Sequence, residues 1–351
     1  MVIGFRQKQG SAGVLAVSTG HNGRVKAIQI QSPGGPESLV LTDVPDPRPA
    51  PGDVVIDVVA AGLNRADVNQ RKGHYPPPPG ESELPGLEVS GRISAVGDGV
   101  DGFEVGEPVC ALLAGGGYAE KVAVPAGQVL PVPAGVDVAD AAGLPETVAT
   151  VYSNLYLQAR LQPGETVLVH GGAGGIGTTA IQLGTALGSP VYVTASSAQK
   201  IEASAQLGAV AGIDYTGEDF VERIHDLTDG RGVDVILDVV GGAYLDRNLR
   251  ALAPNGRLVI IATQQGSRAE LNIGRLMSKR ASVIGTTLRA RPRAEKAEIM
   301  AAVREHVWPL IEAGRLTPLI DRRFPLTEAA AAHEYFDSGS HIGKVLLTTG
   351  A

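Results

Sequence analysis

Cysteine is nearly missing from this sequence: among 351 residues there is one, Cys110. A single cysteine excludes an internal disulfide and a cysteine-rich zinc site. It fits a reducing compartment, and the expected location is the cytoplasm. Long apolar runs are also lacking. No stretch of about 18 uninterrupted apolar residues occurs, which argues against a membrane-spanning helix. Nor is there a strongly basic block, or basic residues interleaved with aromatic ones. With a formal net charge of −7, the chain has little with which to grip a nucleic acid. The seven histidines are scattered, with no H-x-x-x-H pair. Residues 1–24 carry Arg6, Lys8 and Arg24 but no acidic residue, and have few arginines and little amphipathic pattern for a transit peptide. They are expected to be a flexible extension.

What the chain does have is apolar content, 44% hydrophobic against 19% charged, enough for a packed core in two domains of ordinary size. From Val25 short apolar strands (Val25–Ile30, Val54–Val59) alternate with turns rich in glycine and proline, which predicts a β-rich unit. Pro76–Pro79 reads as a rigid surface loop. The rhythm changes after about Leu144. Strands at Thr166–His170, Val191–Thr194, Val233–Asp238 and Arg257–Ala262 alternate with helical segments at Ile176–Leu187 and Ala198–Leu207. That alternation predicts a parallel sheet with crossover helices. The pattern shifts again near Val283. Helices are expected over Glu295–Ala313 and Thr327–Phe336, and a last strand over Val345–Leu347.

The most informative stretch is Thr166-Val-Leu-Val-His-Gly-Gly-Ala-Gly-Gly-Ile-Gly177. Gly172, Gly174 and Gly177 fit G-x-G-x-x-G between a strand and a helix, the context a dinucleotide site requires. One glycine allows the tight turn, one lets backbone approach a pyrophosphate, and one lets helix and strand pack closely. Gly172, Ala173, Gly174, Gly175, Ile176 and Gly177 are therefore candidate cofactor contacts. An NAD site usually carries Asp or Glu at the end of the second strand. Here that strand runs into Thr194-Ala-Ser-Ser197, Lys200 follows, and Tyr215 comes after the next apolar run. Hydroxyls plus a cation at Ser196, Ser197, Lys200 and Tyr215 suit the 2′-phosphate of NADPH, which a carboxylate would repel. The two serines can equally cap the helix that follows, with Lys200 a solvated charge.

Three further motifs, Ala61-Gly-Leu-Asn-Arg-Ala-Asp67, Gly73-His-Tyr75-Pro and Pro85-Gly-Leu-Glu-Val-Ser-Gly91, join His170–Gly177, Asp238-Val-Val-Gly-Gly242 and His341-Ile-Gly-Lys344. Together they resemble the zinc-independent quinone oxidoreductases of the medium-chain dehydrogenase/reductase superfamily. They are most similar to the tumour-suppressor-inducible quinone oxidoreductase subgroup, from about Val25 to Leu347. The resemblance implies an α/β chain in two units. A GroES-like β-rich catalytic domain, 25–148 with 287–351, would flank a Rossmann NADPH-binding domain of doubly wound parallel sheet, 149–286. It also implies a homodimer or homotetramer, and a cleft between the units for nicotinamide and substrate. Zinc-dependent relatives carry Cys where this chain has Asn64 and His where it has Leu87. Neither Asn nor Leu supplies such a ligand set, so no metal is expected.

The same resemblance implies roles for single residues. Tyr75 is the candidate proton donor, with a cleft wall residue as the alternative. Asn64 would hydrogen-bond near the nicotinamide or the substrate oxygen, or else only form a turn. Thr150 would touch the nicotinamide, or pack against the glycine loop. Gly241, Ala262 and Leu288 follow strands and are further candidate contacts, as are His341 and Lys344, the last with a surface lysine as its alternative. His341 stands where the subgroup can have Asn, and Gly174 where it can have Ser. Asp67 and Glu88 read as structural hydrogen-bonding groups, and Cys110 as a small buried hydrophobe. The expected activity is NADPH-dependent hydride transfer to a quinone. Reduction of an enone or enoyl thioester is the neighbouring alternative, with Arg65, Arg71 and Lys72 near the cleft to meet an anionic carrier. A non-catalytic NADPH- or RNA-binding protein is the alternative of another class.

Overall fold

The computed structural model describes residues 23–350, so the expected extension lies outside the described residues except at its end, where Arg24 already belongs to the first strand. In β1 (Arg24–Ile30) the side chains of Val25, Ala27 and Ile28 are buried while Arg24, Lys26 and Gln29 face water, and the strand pairs antiparallel with β2 (Leu39–Pro45). β3 (Asp53–Gly62) is nearly all apolar because both of its faces are covered. Helix α1 (Arg65–Arg71), β4 (Glu88–Val96), β5 (Pro108–Leu112), β6 (Lys121–Pro125), β7 (Val129–Pro131) and α2 (Pro145–Tyr152) complete this part of the chain.

The middle of the chain alternates strictly: β8 (Val167–His170), α3 (Gly175–Ala186), β9 (Val191–Ala195), α4 (Ala198–Gln206), β10 (Ala211–Asp214), α5 (Phe220–Leu227), β11 (Val233–Asp238), α6 (Leu245–Ala251), β12 (Leu252–Ile260), α7 (Ile273–Lys279) and β13 (Ser282–Gly285). Every pairing among these strands is parallel, in the spatial order β10-β9-β8-β11-β12-β13. This is the Rossmann arrangement. The order reverses between β8 and β11, and a crevice for ligand opens at the carboxyl ends of those two strands.

The remaining segment returns to the first unit through α8 (Arg293–His306), α9 (Trp308–Glu312), β14 (Ile320–Pro325), α10 (Ala329–Asp337) and β15 (Lys344–Thr348). The single helix expected over 295–313 is two helices that break at Val307, since Pro309 has no N–H to continue the ladder. β15 lies between β14 and β3, so the sheet order is β14-β15-β3-β4-β5-β7, with β6 on the far half of β3. One buried cluster fills this GroES-like unit around Ile56, Val89 and Val124. A second joins the units, packing Val148 and Val151 of α2 and Met300 and Val303 of α8 on Val167 and Val169 of β8.

A polar strut ties α10 to α1 inside the first unit. Arg71 Nη2 meets Asp337 at 2.7 Å and Arg71 Nη1 meets His333 Nδ1 at 3.2 Å, while His333 Nε2 lies 3.2 Å from the Tyr118 hydroxyl. The Tyr118 hydroxyl in turn donates to Asp67 Oδ2 at 3.3 Å. Arginine only donates, so Nδ1 accepts and Nε2–H donates, which makes His333 neutral. Burial, and next the Arg71 charge, lower its pKa to about 3. The folded-state value lies below the unfolded value of about 6.5, so this stabilisation is complete above that pH and is lost as the pH falls toward the folded value. Urea titrations from pH 7 to 4 should therefore show the wild type losing more unfolding free energy than His333→Gln over the same interval.

Candidate active site

The loop between β8 and α3 is shaped by what its glycines leave out. Gly171 takes a positive φ of 80° and makes the tight turn. A Cβ on Gly172 would lie 2.5 Å from Val193 of β9, and one on Gly177 would lie 2.3 Å from the Gly171 carbonyl oxygen. Those two glycines let helix and strand close on each other. Gly174 differs, because a Cβ there would meet nothing nearer than 3.8 Å. It is the N-cap of α3, whose first N–H groups lack partners within the helix. A pyrophosphate can approach backbone there. The turn itself falls to Gly171, one residue before the motif glycines. Gly343 pairs with the loop from the other unit, its N–H donating to the Ala173 carbonyl at 2.8 Å.

At the end of β9, Ser197 caps α4 by accepting the Lys200 N–H, as the capping alternative expects. Ser196 does not cap. Its hydroxyl lies 3.3 Å from Lys200 Nζ, which also donates to the Gly339 carbonyl at 2.5 Å. Lys200 thus stands in the first turn of α4, and the Ser196-Ser197 segment between β9 and α4 carries no carboxylate. Tyr215 follows β10 and is 43% exposed. His341 stacks on Phe336 at 4.4 Å between centroids, and its Nδ1 is buried without a partner among the described residues. Burial, then the charges of Arg65 and Lys200, lower its pKa to about 4. The Asp321 carboxylate opposes these charges without reversing them.

Deeper in, Lys344 is buried, which rules out the surface alternative. Its Nζ donates to the Leu63 carbonyl at 2.7 Å and to Asn64 Oδ1 at 2.8 Å, and pairs with Glu88 Oε1 at 2.5 Å. Asn64 Nδ2 donates to the same Glu88 oxygen at 2.9 Å. Asn64 is therefore more than a turn residue. Gly62 makes room for this, since a Cβ there would sit 2.3 Å from Glu88 Oε1. Asp67 accepts from the Asn64 N–H at 2.8 Å and the Gly86 N–H at 3.0 Å; burial, partly offset by those bonds, raises its pKa to about 6. Leu87 is buried hydrocarbon. Where a metal would need donors, the chain places an ammonium group.

The other candidates lie around this knot. Thr150 is buried on α2, in the same helix as Thr147, whose methyl faces Gly175. Tyr75 is half-buried and does not join the knot. Its hydroxyl lies 3.3 Å from Thr287 Oγ1, and the Arg289 guanidinium stands 5.3 Å from its ring centroid. Arg289 also donates to the Tyr75 carbonyl, to Gln70 Oε1 at 2.7 Å and to the Ala114 carbonyl at 2.7 Å. Gly241 has φ 84° at the carboxyl end of β11, and its N–H donates to Asp238. Ala262 follows β12, half-buried; Leu288 packs in the core that joins the units. Sequence reasoning missed Arg289 and Glu146. Neither belongs to a motif, and an acidic residue in a first helical turn reads as a complement to the helix dipole.

A glycine loop at the start of α3, set where the strand order reverses, fits a nicotinamide dinucleotide. Comparisons with known proteins agree. Residues 50–134 match the alcohol dehydrogenase GroES-like domain, and residues 207–347 match a zinc-binding dehydrogenase domain. The chain is 35% identical over 324 residues to a quinone oxidoreductase of Pseudomonas aeruginosa, covering 92% of this chain and 99% of that one. It also matches a phenolphthiocerol/phthiocerol polyketide synthase of Mycobacterium tuberculosis at 33% identity over 94% of its own length, but spans only 15% of that much longer protein. Among solved structures, Escherichia coli quinone oxidoreductase complexed with NADPH superposes with a TM-score of 0.82 at 31% identity, covering 93% of this chain and 99% of that one. The CurK enoyl reductase superposes at 0.81 with 29% identity, covering 92% and 99%.

The knot makes a clear demand on Lys344. Lys344→Met leaves Glu88 buried without its cation, and urea unfolding should show a loss of about 3–5 kcal/mol.

Proposed function

The chain belongs to the zinc-independent quinone oxidoreductase family of the medium-chain dehydrogenase/reductase superfamily and is a nicotinamide-dependent reductase, and from that premise we propose that its cofactor is NADPH and its acceptor a quinone. Lys200 carries the cofactor assignment. Its ammonium is fixed by the Gly339 carbonyl beside Ser196, with no acidic side chain at the end of β9. A 2′-phosphate there gains a charge-assisted bond, whereas the free hydroxyl of NADH gains little. Gly174 and the first turn of α3 would hold the pyrophosphate. Asn64, Thr150 and Gly241 would border the nicotinamide. NADPH, when bound, supplies a hydride.

The residues of the chain then position the acceptor. A quinone takes up charge well by itself, so orientation and exclusion of water matter most. We assign Tyr75 to orientation. Arg289 braces its ring, and its hydroxyl, paired with Thr287 among the described residues, can turn to the acceptor oxygen. The enoyl reductase reading is kept alive by the similarity to CurK enoyl reductase. In this scheme 25–148 with 287–351 forms the catalytic unit and 149–286 the cofactor unit.

We further propose a homodimer through β13. That strand ends the six-stranded sheet, and beside it Val283, Ile273 and Met277 are exposed, the last two by 62% and 71%. An open parallel edge with apolar neighbours is self-complementary about a two-fold axis. Two such dimers meeting would give a tetramer.

Three measurements test these assignments. Lys200→Ala should weaken NADPH binding by about 10–100-fold, the loss of one charged hydrogen bond of roughly 1.5–3 kcal/mol, and leave NADH binding unchanged in fluorescence titration. Tyr75→Phe should raise the KM for quinone about 2–10-fold with little change in kcat, the signature of lost uniform binding; turnover of an enoyl thioester but no quinone would transfer the assignment. Met277→Asp should convert the dimer to monomer in sedimentation velocity, and an unchanged mass would place the interface elsewhere.

A further inference from the structure

Three carboxyl groups, Asp67 of α1, Glu88 of β4 and Glu146 of α2, lie close enough to act on one another. Two have full sets of partners. Asp67 binds two backbone N–H groups and the Tyr118 hydroxyl, and Glu88 binds Lys344, Asn64 and the Glu146 N–H at 2.9 Å. Glu146 is different. Its own backbone is tied to Glu88, yet its Oε2 is buried and has no hydrogen-bond partner among the described residues. An ionised oxygen so placed meets the full cost of desolvation, whereas a protonated one carries an O–H ready to give to a ligand. The site is suitably placed. Glu146 lies in the first turn of α2, one residue before Thr147, whose methyl would be 3.2 Å from a Cβ on Gly175 of the cofactor loop.

We infer that Glu146 is the proton donor of the reduction, delivering its carboxyl proton to the acceptor while Tyr75 holds the acceptor oxygen. This rests on the reductase reading given above. In the step the Glu146 O–H bond breaks and an O–H or C–H bond forms on the acceptor. With the hydride supplied by the nicotinamide, the acceptor gains two electrons and two hydrogens. The carboxylate left behind takes a proton from water, so the residue ends as it began.

The charges around the group agree. Burial and then the adjacent Glu88 of β4 raise the Glu146 pKa to about 8, and Asp67 of α1 adds to the rise. Lys344 of β15 and Arg289, between β13 and α8, pull it down, and Lys296 of α8 also faces it. The dipole of α2 favours the ionised form by about 0.3–1 kcal/mol, less than one pKa unit, and does not reverse the balance. At neutral pH the acid form predominates.

The test is Glu146→Gln in the full chain, followed in two ways. Wild-type kcat with an enone acceptor should fall as the pH rises through about 8. In E146Q that limb should vanish and kcat should drop by about 10²–10⁴-fold, the usual contribution of a general acid. Independently of turnover, the infrared carbonyl band of a protonated carboxyl should titrate away near the same pH in the wild type and be absent from E146Q. Glu146→Asp, which keeps an acid, should restore part of the alkaline limb; with the infrared titration it carries the test if E146Q does not fold. An E146Q profile that matches the wild type, or an infrared spectrum without the band, overturns the role of Glu146 and leaves the reductase reading intact. No wild-type turnover with either quinone or enone overturns that reading, and the proton donor with it.

Discussion

The buried ammonium of Lys344 is the interaction on which the rest of the site depends. An ammonium group that deep must have a carboxylate and further acceptors around it, and the chain draws these from two separate places: Glu88 on β4, and the Leu63 carbonyl with the adjacent Asn64 side chain just before α1. Satisfying one charge therefore fixes the start of β15, the middle of the first sheet and the entry to α1 relative to one another. The Lys344 stem also crosses the glycine loop, where a Cβ on Gly175 would lie 2.6 Å from its Cδ. The cation thus locks the catalytic sheet and the cofactor loop to each other. Glu88 and Asn64 are held by the same contacts, and Glu146 is brought beside them through its backbone.

Around that cation the interior sorts its titratable groups by the partners available. His170 is kept neutral, its pKa lowered to about 4 by burial, between Thr194 and Asn248. His333 is neutral because Arg71 occupies its acceptor nitrogen. His341 is neutral in a groove that already holds other cations. The cations of that groove, Arg65 and Lys200, stand beside a single carboxylate, Asp321. The carboxyl groups divide in the same way. Glu88 sits against a cation, while Glu146 has an oxygen with nothing to bind among the described residues.

Much of this was legible in the sequence, for reasons that differ by element. The Rossmann strands could be read because buried parallel strands are short apolar runs, and the bounds of β11 agree residue for residue. The motif glycines Gly172 and Gly177 could be read because close packing excludes every larger residue. Gly171 could not be singled out, since any of several adjacent glycines can take a positive φ. The break at Val307 was hidden because apolar spacing continues through it, although Pro309 was a local warning. Lys344 could be assigned to the cleft or to the surface, and only tertiary structure separates these. Arg289 and Glu146 acquire meaning from neighbours more than a hundred and some fifty residues away in the chain, Tyr75 and Glu88 among them. No local pattern carries that information.

The insertion of the Rossmann unit between the two parts of the first sheet bears on the order in which the chain assembles. The Lys344–Leu63 contact joins residues 281 apart, whereas each β-α-β step of the middle segment closes over a few tens of residues. Local contacts form fastest, so the middle segment is expected to organise early and to bring its own ends together. Removing it from the loop that β15 must close lowers the entropic cost only slightly, by about 0.5 kcal/mol. The benefit is in timing. By the time β15 docks beside β3, the glycine loop is already present as a surface for Gly343 to pair with, so the last strand is guided into place by the cofactor unit it will later serve.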